Sequence, residues 1–175
     1  MAFAVARTTD EAHLYVELTP CEDCGALTSE WSEGLTSVDG SLATSYVGAC
    51  PGCGIGREFL FGVPAVETPP GPFPQFGGAE PSEIFDAGQW LEIADYAAGD
   101  VPVDDPVEAE RRLALAQAAV DEVVKFIPAG EHAVPDDAFW TDEGSRIRAE
   151  EPGRFRLERL LVVRDSYRYP ARGDA

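Results

Sequence analysis

A chain of 175 residues with 45% apolar content has the material for a folded core, and its net charge of −19 sets it against polyanions. Nucleic acid and anionic lipid both bind through Lys and Arg, so neither is an expected partner, and a basic protein is. No stretch approaches the roughly 18 consecutive apolar residues of a membrane span.

The placement of charge sharpens this. Lys125 is the one lysine among 13 cationic residues, and asparagine is absent. That bias is what a GC-rich, bacterial-looking genome produces. Residues 1–140 hold 25 acids and 5 bases, whereas residues 141–175 hold 7 and 8. Between Arg57 and Arg111 there are twelve acids and no base. Met1 to Asp10 shows one Arg and no long apolar run, so no signal peptide is visible and the cytoplasm is the expected compartment.

In chain order, residues 11–18 alternate, with Ala12, Leu14, Val16 and Leu18 against His13, Tyr15 and Glu17, which predicts a half-buried strand. Residues 25–40 carry an Asp39-Gly40 turn signal and predict a hairpin. Ser41 to Val47 reads as a strand entering a second cysteine pair, and Arg57 to Val63 as a strand leaving it. Residues 64–81 contain Pro64, Pro69, Pro70, Pro72, Pro74 and Pro81, a density that excludes helix and central strand. This is an extended connector, and Phe73 and Phe76 predict that it is pinned to a neighbouring surface.

Beyond Pro81 the period becomes helical. Asp86 and Gln89 form a capping-box pair ahead of Trp90, Leu91, Ala94, Ala97 and Ala98, and Gly99 stops that helix. Asp105 caps the next helix with Pro106 at its first position. Its apolar stripe runs Ala109, Leu113, Ala116, Val120, Val124, Ile127, and Pro128 ends it. A short helix after Pro135, another after a Thr141 cap, and a last one from Pro152 to about Tyr167 complete the prediction.

The chemistry lies in the cysteines. Cys21-x-x-Cys24-Gly25 and Cys50-Pro51-x-Cys53-Gly54 use all four cysteines of the chain. Two cysteines three apart reach one ion only through a tight backbone knuckle, and a following Gly relieves that turn. Two facing knuckles complete a tetrahedron with Zn–S near ~2.3 Å. Zinc in a closed, structural site is therefore the expected cofactor. Rubredoxin-type iron uses similar knuckles, and spacing does not separate the two.

Strand, knuckle, hairpin, second knuckle with Cys-Pro-x-Cys-Gly and a closing strand, over about residues 11–63, resemble a zinc ribbon. Many zinc ribbons bind nucleic acid through basic strands, but residues 8–56 contain no Lys or Arg. Glu11-Ala12-His13-Leu14-Tyr15 and Glu151-Pro152-Gly153-Arg154-Phe155 are also similar to stretches of uncharacterised bacterial proteins, some near toxin–immunity loci.

Other candidate sites are weaker. His13 has no catalytic partner in sequence. Glu131 and His132, near Asp136 and Asp137, are a loose cluster without fixed ligand spacing. No nucleophile motif, Walker A loop or dinucleotide fingerprint is present, so the chain is expected not to be an enzyme, and no small-molecule substrate is implied. Tyr15, Trp31, Tyr46 and Trp140 are candidates for exposed interface aromatics, although a ribbon this small needs a neighbour, so cover of the junction between ribbon and helices is the favoured reading. Arg146, Arg148, Arg154, Arg156, Arg159, Arg164 and Arg168 are the one place for a basic patch, with Glu150, Glu151, Glu158 and Asp165 there to neutralise it.

The expected architecture is α+β: a zinc-ribbon β unit over residues 1–63 packed on a helical region over 82–175 through a docked connector over 64–81. The expected function is an acidic protein-binding module, with an immunity or inhibitor protein that masks a basic toxin as one concrete form. A zinc-ribbon accessory of nucleic-acid transactions is the alternative, followed by a metal-dependent enzyme.

Overall fold

The computed structural model describes residues 3–28, 30–66, 68–69 and 71–168; Pro70 of the connector lies outside them. The class is α+β. The chain forms two compact units, which interleave along the connector: residues 75–78 and 82–84 belong with the first and 72–74 and 79–81 with the second.

The first unit opens with helix α1, Thr9–Leu18, where alternation predicts a strand. Ala12 and Val16, four residues apart, are the buried apolar positions, so the same residues serve a 3.6-residue period. The start signal is Thr8, whose hydroxyl accepts from the Glu11 N–H as a helix N-cap. Glu11 is fully buried. Its carboxylate accepts from the Arg7 guanidinium at 2.6 Å, the Arg7 N–H at 2.7 Å and the Ser82 hydroxyl at 2.7 Å. A strand would carry Arg7 and Glu11 too far apart to meet, so this buried pair favours the helix.

Strands β1 (Ser32–Val38), β2 (Ser41–Ala49) and β3 (Gly56–Gly62) form an antiparallel sheet in the order β1-β2-β3. Val38 pairs with Ser41 across the Asp39-Gly40 turn, whose residues both take positive φ (52° and 79°), the hairpin geometry that twists with its strands. Tyr15 of α1 meets Phe59 and Phe61 edge-on, and His13 meets Tyr46 edge-on. Tyr46 is thereby only 2% exposed, so it offers no exposed interface. The connector is pinned: the Gln75 carbonyl accepts from the Thr8 hydroxyl and its N–H donates to Asp10. Phe76 is buried, whereas Phe73 lies under the Arg111 guanidinium and stays 41% exposed.

The second unit is helical: α2 Ala87–Gly99, α3 Pro106–Lys125, α4 Asp142–Glu150 and α5 Leu157–Ser166. Its core gathers Trp90, Leu91, Ala94 and Ala97 of α2, Ala116, Ala119, Val120 and Val123 of α3, and Leu160 of α5. The α3 stripe is thus turned from the predicted one. Leu113, Val124 and Ile127 are only half-buried, and Ala119 and Val123 take the inner face. Alanines at these contacts let helix axes approach closely, and burial of the flanking larger side chains supplies the apolar gain.

Helix N-termini fix the arrangement. Asp86 and Gln89 form both halves of the capping box on α2. The same buried Asp86 carboxylate accepts from the Thr141 N–H (2.9 Å) and hydroxyl (2.6 Å), while Thr141 caps α4 through the Gly144 N–H. Gly88 and Gly144 meet here, and a Cβ on Gly88 would lie 2.4 Å from the Gly144 Cα. The predicted helix after Pro135 is one 3-10 turn, Asp136–Ala138. The last predicted helix is broken: a 3-10 turn over Pro152–Phe155 precedes α5, with Arg156 extended between them. The break lets the Phe155 carbonyl accept from Val134 and the Leu157 N–H donate to His132, stitching the 131–135 loop to α5.

Candidate metal centre

The two cysteine knuckles are built alike. The Cys21 N–H donates to the Ala26 carbonyl (2.9 Å), and the Gly25 N–H donates back to the Cys21 carbonyl (2.8 Å). In the second knuckle Cys50 donates to Ile55 and Gly54 donates to Cys50, each at 2.9 Å. Gly25 and Gly54 both sit at positive φ (74° and 76°), which is why each motif ends in glycine. The first knuckle follows α1, and the second joins β2 to β3, so a helix end and a hairpin end present the sulfurs to one another.

All four Sγ atoms lie within 4.8 Å of one another. Cys21 and Cys53 are 3.7 Å apart and Cys24 and Cys50 are 3.4 Å apart, far beyond a disulfide bond and close to the ~3.8 Å edge of a tetrahedron with ~2.3 Å metal–sulfur bonds. Cys21 and Cys50 are buried, while Cys24 and Cys53 are exposed. Gly52 closes the gap between knuckles: a Cβ there would lie 3.0 Å from both the Ala26 Cβ and the Cys24 Sγ.

The thiols are electrically uneven. The Cys53 N–H, opposed by burial and helped by the Gly52 N–H, holds the Cys50 thiol down at about 6. The Ile55 N–H pulls Cys53 down, but local desolvation and the other three sulfurs carry it up to about 12. Clustered sulfurs resist joint ionisation, and a divalent cation at their centre meets that demand. Four thiolates leave no open coordination position, which is the donor set of a structural ion such as zinc.

Arg57 braces the first knuckle. Its guanidinium donates to the Thr19 carbonyl (2.9 Å), the Pro20 carbonyl (3.2 Å) and the Thr28 hydroxyl (3.3 Å). It also stacks on Trp31 and Phe59 at 5.4 and 5.0 Å. Sequence patterning gave no hint of this role, because Arg57 reads there only as the first residue of a strand.

The remaining candidates disperse. Among the described residues, the four cysteines are the one group of three or more His, Cys, Asp or Glu side chains whose ligand atoms converge. Glu131, His132, Asp136 and Asp137 are all exposed, and Asp136 pairs with Arg148 at 3.4 Å. His13 is exposed on α1. Trp140 is 49% exposed, with its ring against Phe126. No described helix is long and apolar enough to cross a membrane.

A scan of protein-family models, a search of curated proteins and a search of solved structures each return no match.

Proposed function

We propose that this chain is a non-enzymatic, acidic protein-binding module, that its β unit is a zinc ribbon held by a structural zinc ion on Cys21, Cys24, Cys50 and Cys53, and that its partner is a basic protein. An immunity or inhibitor protein covering a cationic toxin is one form of this reading. The observation that carries it is the pairing of charge. Arg7 is spent on Glu11, Arg112 on Glu108 and Asp100, and Lys125 on Glu122. Arg146 is spent on Glu143 and Glu150, Arg154 on Asp95 and Glu151, and Arg164 on Asp121 and Asp165.

Glu17, Glu22, Asp23, Glu30, Glu33 and Asp39 stay exposed on the first unit, so its surface field is negative. The Arg-rich C-terminal segment is largely neutralised by its own neighbours, which argues against a nucleic-acid patch. Opposite charge steers association and makes it salt-sensitive.

The test is affinity capture from the source lysate at low and high salt, followed by identification and purification of the partner. The expected result is a stoichiometric complex with a protein of high isoelectric point that dissociates as salt rises. Capture of only acidic or salt-insensitive partners, or a gel shift of nucleic acid at low salt, overturns the reading.

A further inference from the structure

We infer that the open edge of β1, with the cleft beside it, takes an extended basic peptide segment that joins the sheet as a fourth strand. This rests on the basic-partner reading above and gives it a location and a mode.

The two edges of the sheet are treated differently. The β3 edge is covered at its end: Val5 bridges to Gly62, whose N–H donates to the Ala4 carbonyl at 2.9 Å. A Cβ on Gly62 would press to 3.0 Å on the Phe3 carbonyl, so the glycine permits that cover. The β1 edge has no neighbouring strand among the described residues. Across a two-residue turn Val38 and Ser41 form the hydrogen-bonded pair, and the alternation of an antiparallel ladder then turns the backbone of Ser37, Leu35 and Glu33 away from β2. Among the described residues, none of the backbone hydrogen bonds outside helices and strands involves these three.

Exposed edges are normally blunted by Lys, Pro or a bulge. Ser32–Val38 contains neither residue, and its register with β2 is unbroken.

The chemistry of the occupant follows from the face that this edge borders. Glu33 and Leu35 share one face with Leu42, Thr44 and Tyr46, and these line a cleft of about 520 Å³ closed on its far side by the start of α1. Leu35 is 71% and Leu42 55% exposed, an apolar floor without a cover. Among the described lining residues, Glu33 and Asp10 are the acids, and Arg7, the one cation, is 11% exposed and locked to Glu11. Side chains of an added strand reach one face at every second residue. The fitting segment therefore carries Lys or Arg beside Glu33 and an apolar residue two positions away, beside Leu35 and Leu42. A second copy of this chain is disfavoured as occupant, because each copy brings a charge of −19.

The test uses the intact metal-loaded chain and a fluorescent, end-blocked heptapeptide, Thr-Lys-Thr-Val-Thr-Arg-Thr, read by anisotropy. Its comparison peptide has the same sequence and charge with alternate amides N-methylated, one peptide for each amide register. The expected result is saturable binding that weakens at least about tenfold for one of the methylated peptides. Leu35→Pro removes an outward N–H while leaving the β1–β2 ladder intact, and it should cost about tenfold where Leu35→Ala costs less.

Equal binding of all the peptides overturns strand addition and leaves the acidic-surface reading standing. No peptide binding alongside retained binding of the captured basic protein places that partner elsewhere and also overturns it. Failure of both overturns both readings. A concentration-dependent dimer in sedimentation that Leu35→Pro abolishes would assign the edge to a second copy instead.

Discussion

Asp86 is where removal of one side chain should cost the second unit most for its size. The residue is fully buried, and three donors converge on it: the Gln89 N–H at 2.9 Å, the Thr141 N–H at 2.9 Å and the Thr141 hydroxyl at 2.6 Å. Asp86→Ala removes a helix cap worth about 1 kcal/mol. It also removes two charge-assisted bonds from Thr141, each worth about 1.5–3 kcal/mol. Together the loss is about 4–7 kcal/mol, against a total stability of about 5–15 kcal/mol for a typical protein. For a chain of this size the melting temperature should fall on the order of 10–20 °C.

Asp86→Asn keeps the acceptor for Gln89 but turns an amide toward the Thr141 N–H, at a cost of about 1–3 kcal/mol for the orphaned donor. The comparison variant is Asp105→Ala, whose carboxylate caps α3 at an exposed site by accepting from Val107 and Glu108, and which should cost about 1 kcal/mol. Thermal melts followed by far-ultraviolet circular dichroism rank the three. If Asp86→Ala melts no lower than Asp105→Ala, the convergence of two helix starts on one carboxylate is not what holds α2 to α4.

Three further outcomes concern the metal centre. Native mass spectrometry should show one zinc ion per chain that Cys50→Ser loses, and a colourless protein separates zinc from iron. Because such ions contribute about 10–16 kcal/mol of apparent binding energy to folding, strong chelation should unfold the first unit, and an unchanged circular dichroism spectrum would contradict a structural role. Gly52→Ala should weaken the ion at least about tenfold in competition with a chromophoric chelator, since its methyl group would press on the Cys24 Sγ at 3.0 Å. Gly56→Ala, with nothing within 4 Å, should leave affinity unchanged.

What the sequence makes legible depends on whether the signal is local. The cysteine spacing, the Asp39-Gly40 turn and the Asp86, Asp105 and Thr141 caps are each closed within a few residues, and each appears where local chemistry places it. At helix α1 the alternation of Ala12, Leu14, Val16 and Leu18 fits a period of two, while the helix buries Ala12 and Val16, four apart. The deciding facts are the Thr8 cap, which was legible, and the buried Arg7–Glu11–Ser82 network, which draws on a residue 71 positions away. The break at Arg156 has the same origin. Nothing near Pro152 announces it, because its cause is the Ala133–Arg156 bridge to a distant loop. Of the candidate site, the four ligands were readable and the brace around them was not.

That brace bears on the make-up of the whole chain. Twelve of its 13 cations are arginine, a preference that base composition alone would produce. At Arg57 the preference is also a matter of shape. Two carbonyls, one hydroxyl and two aromatic faces surround a flat, multiply donating group, and an ammonium on the same stem offers neither the plane nor the fan of donors. A genome drifting toward lysine could exchange many of its surface arginines without consequence. At this position the same drift would loosen the turn that carries Cys21.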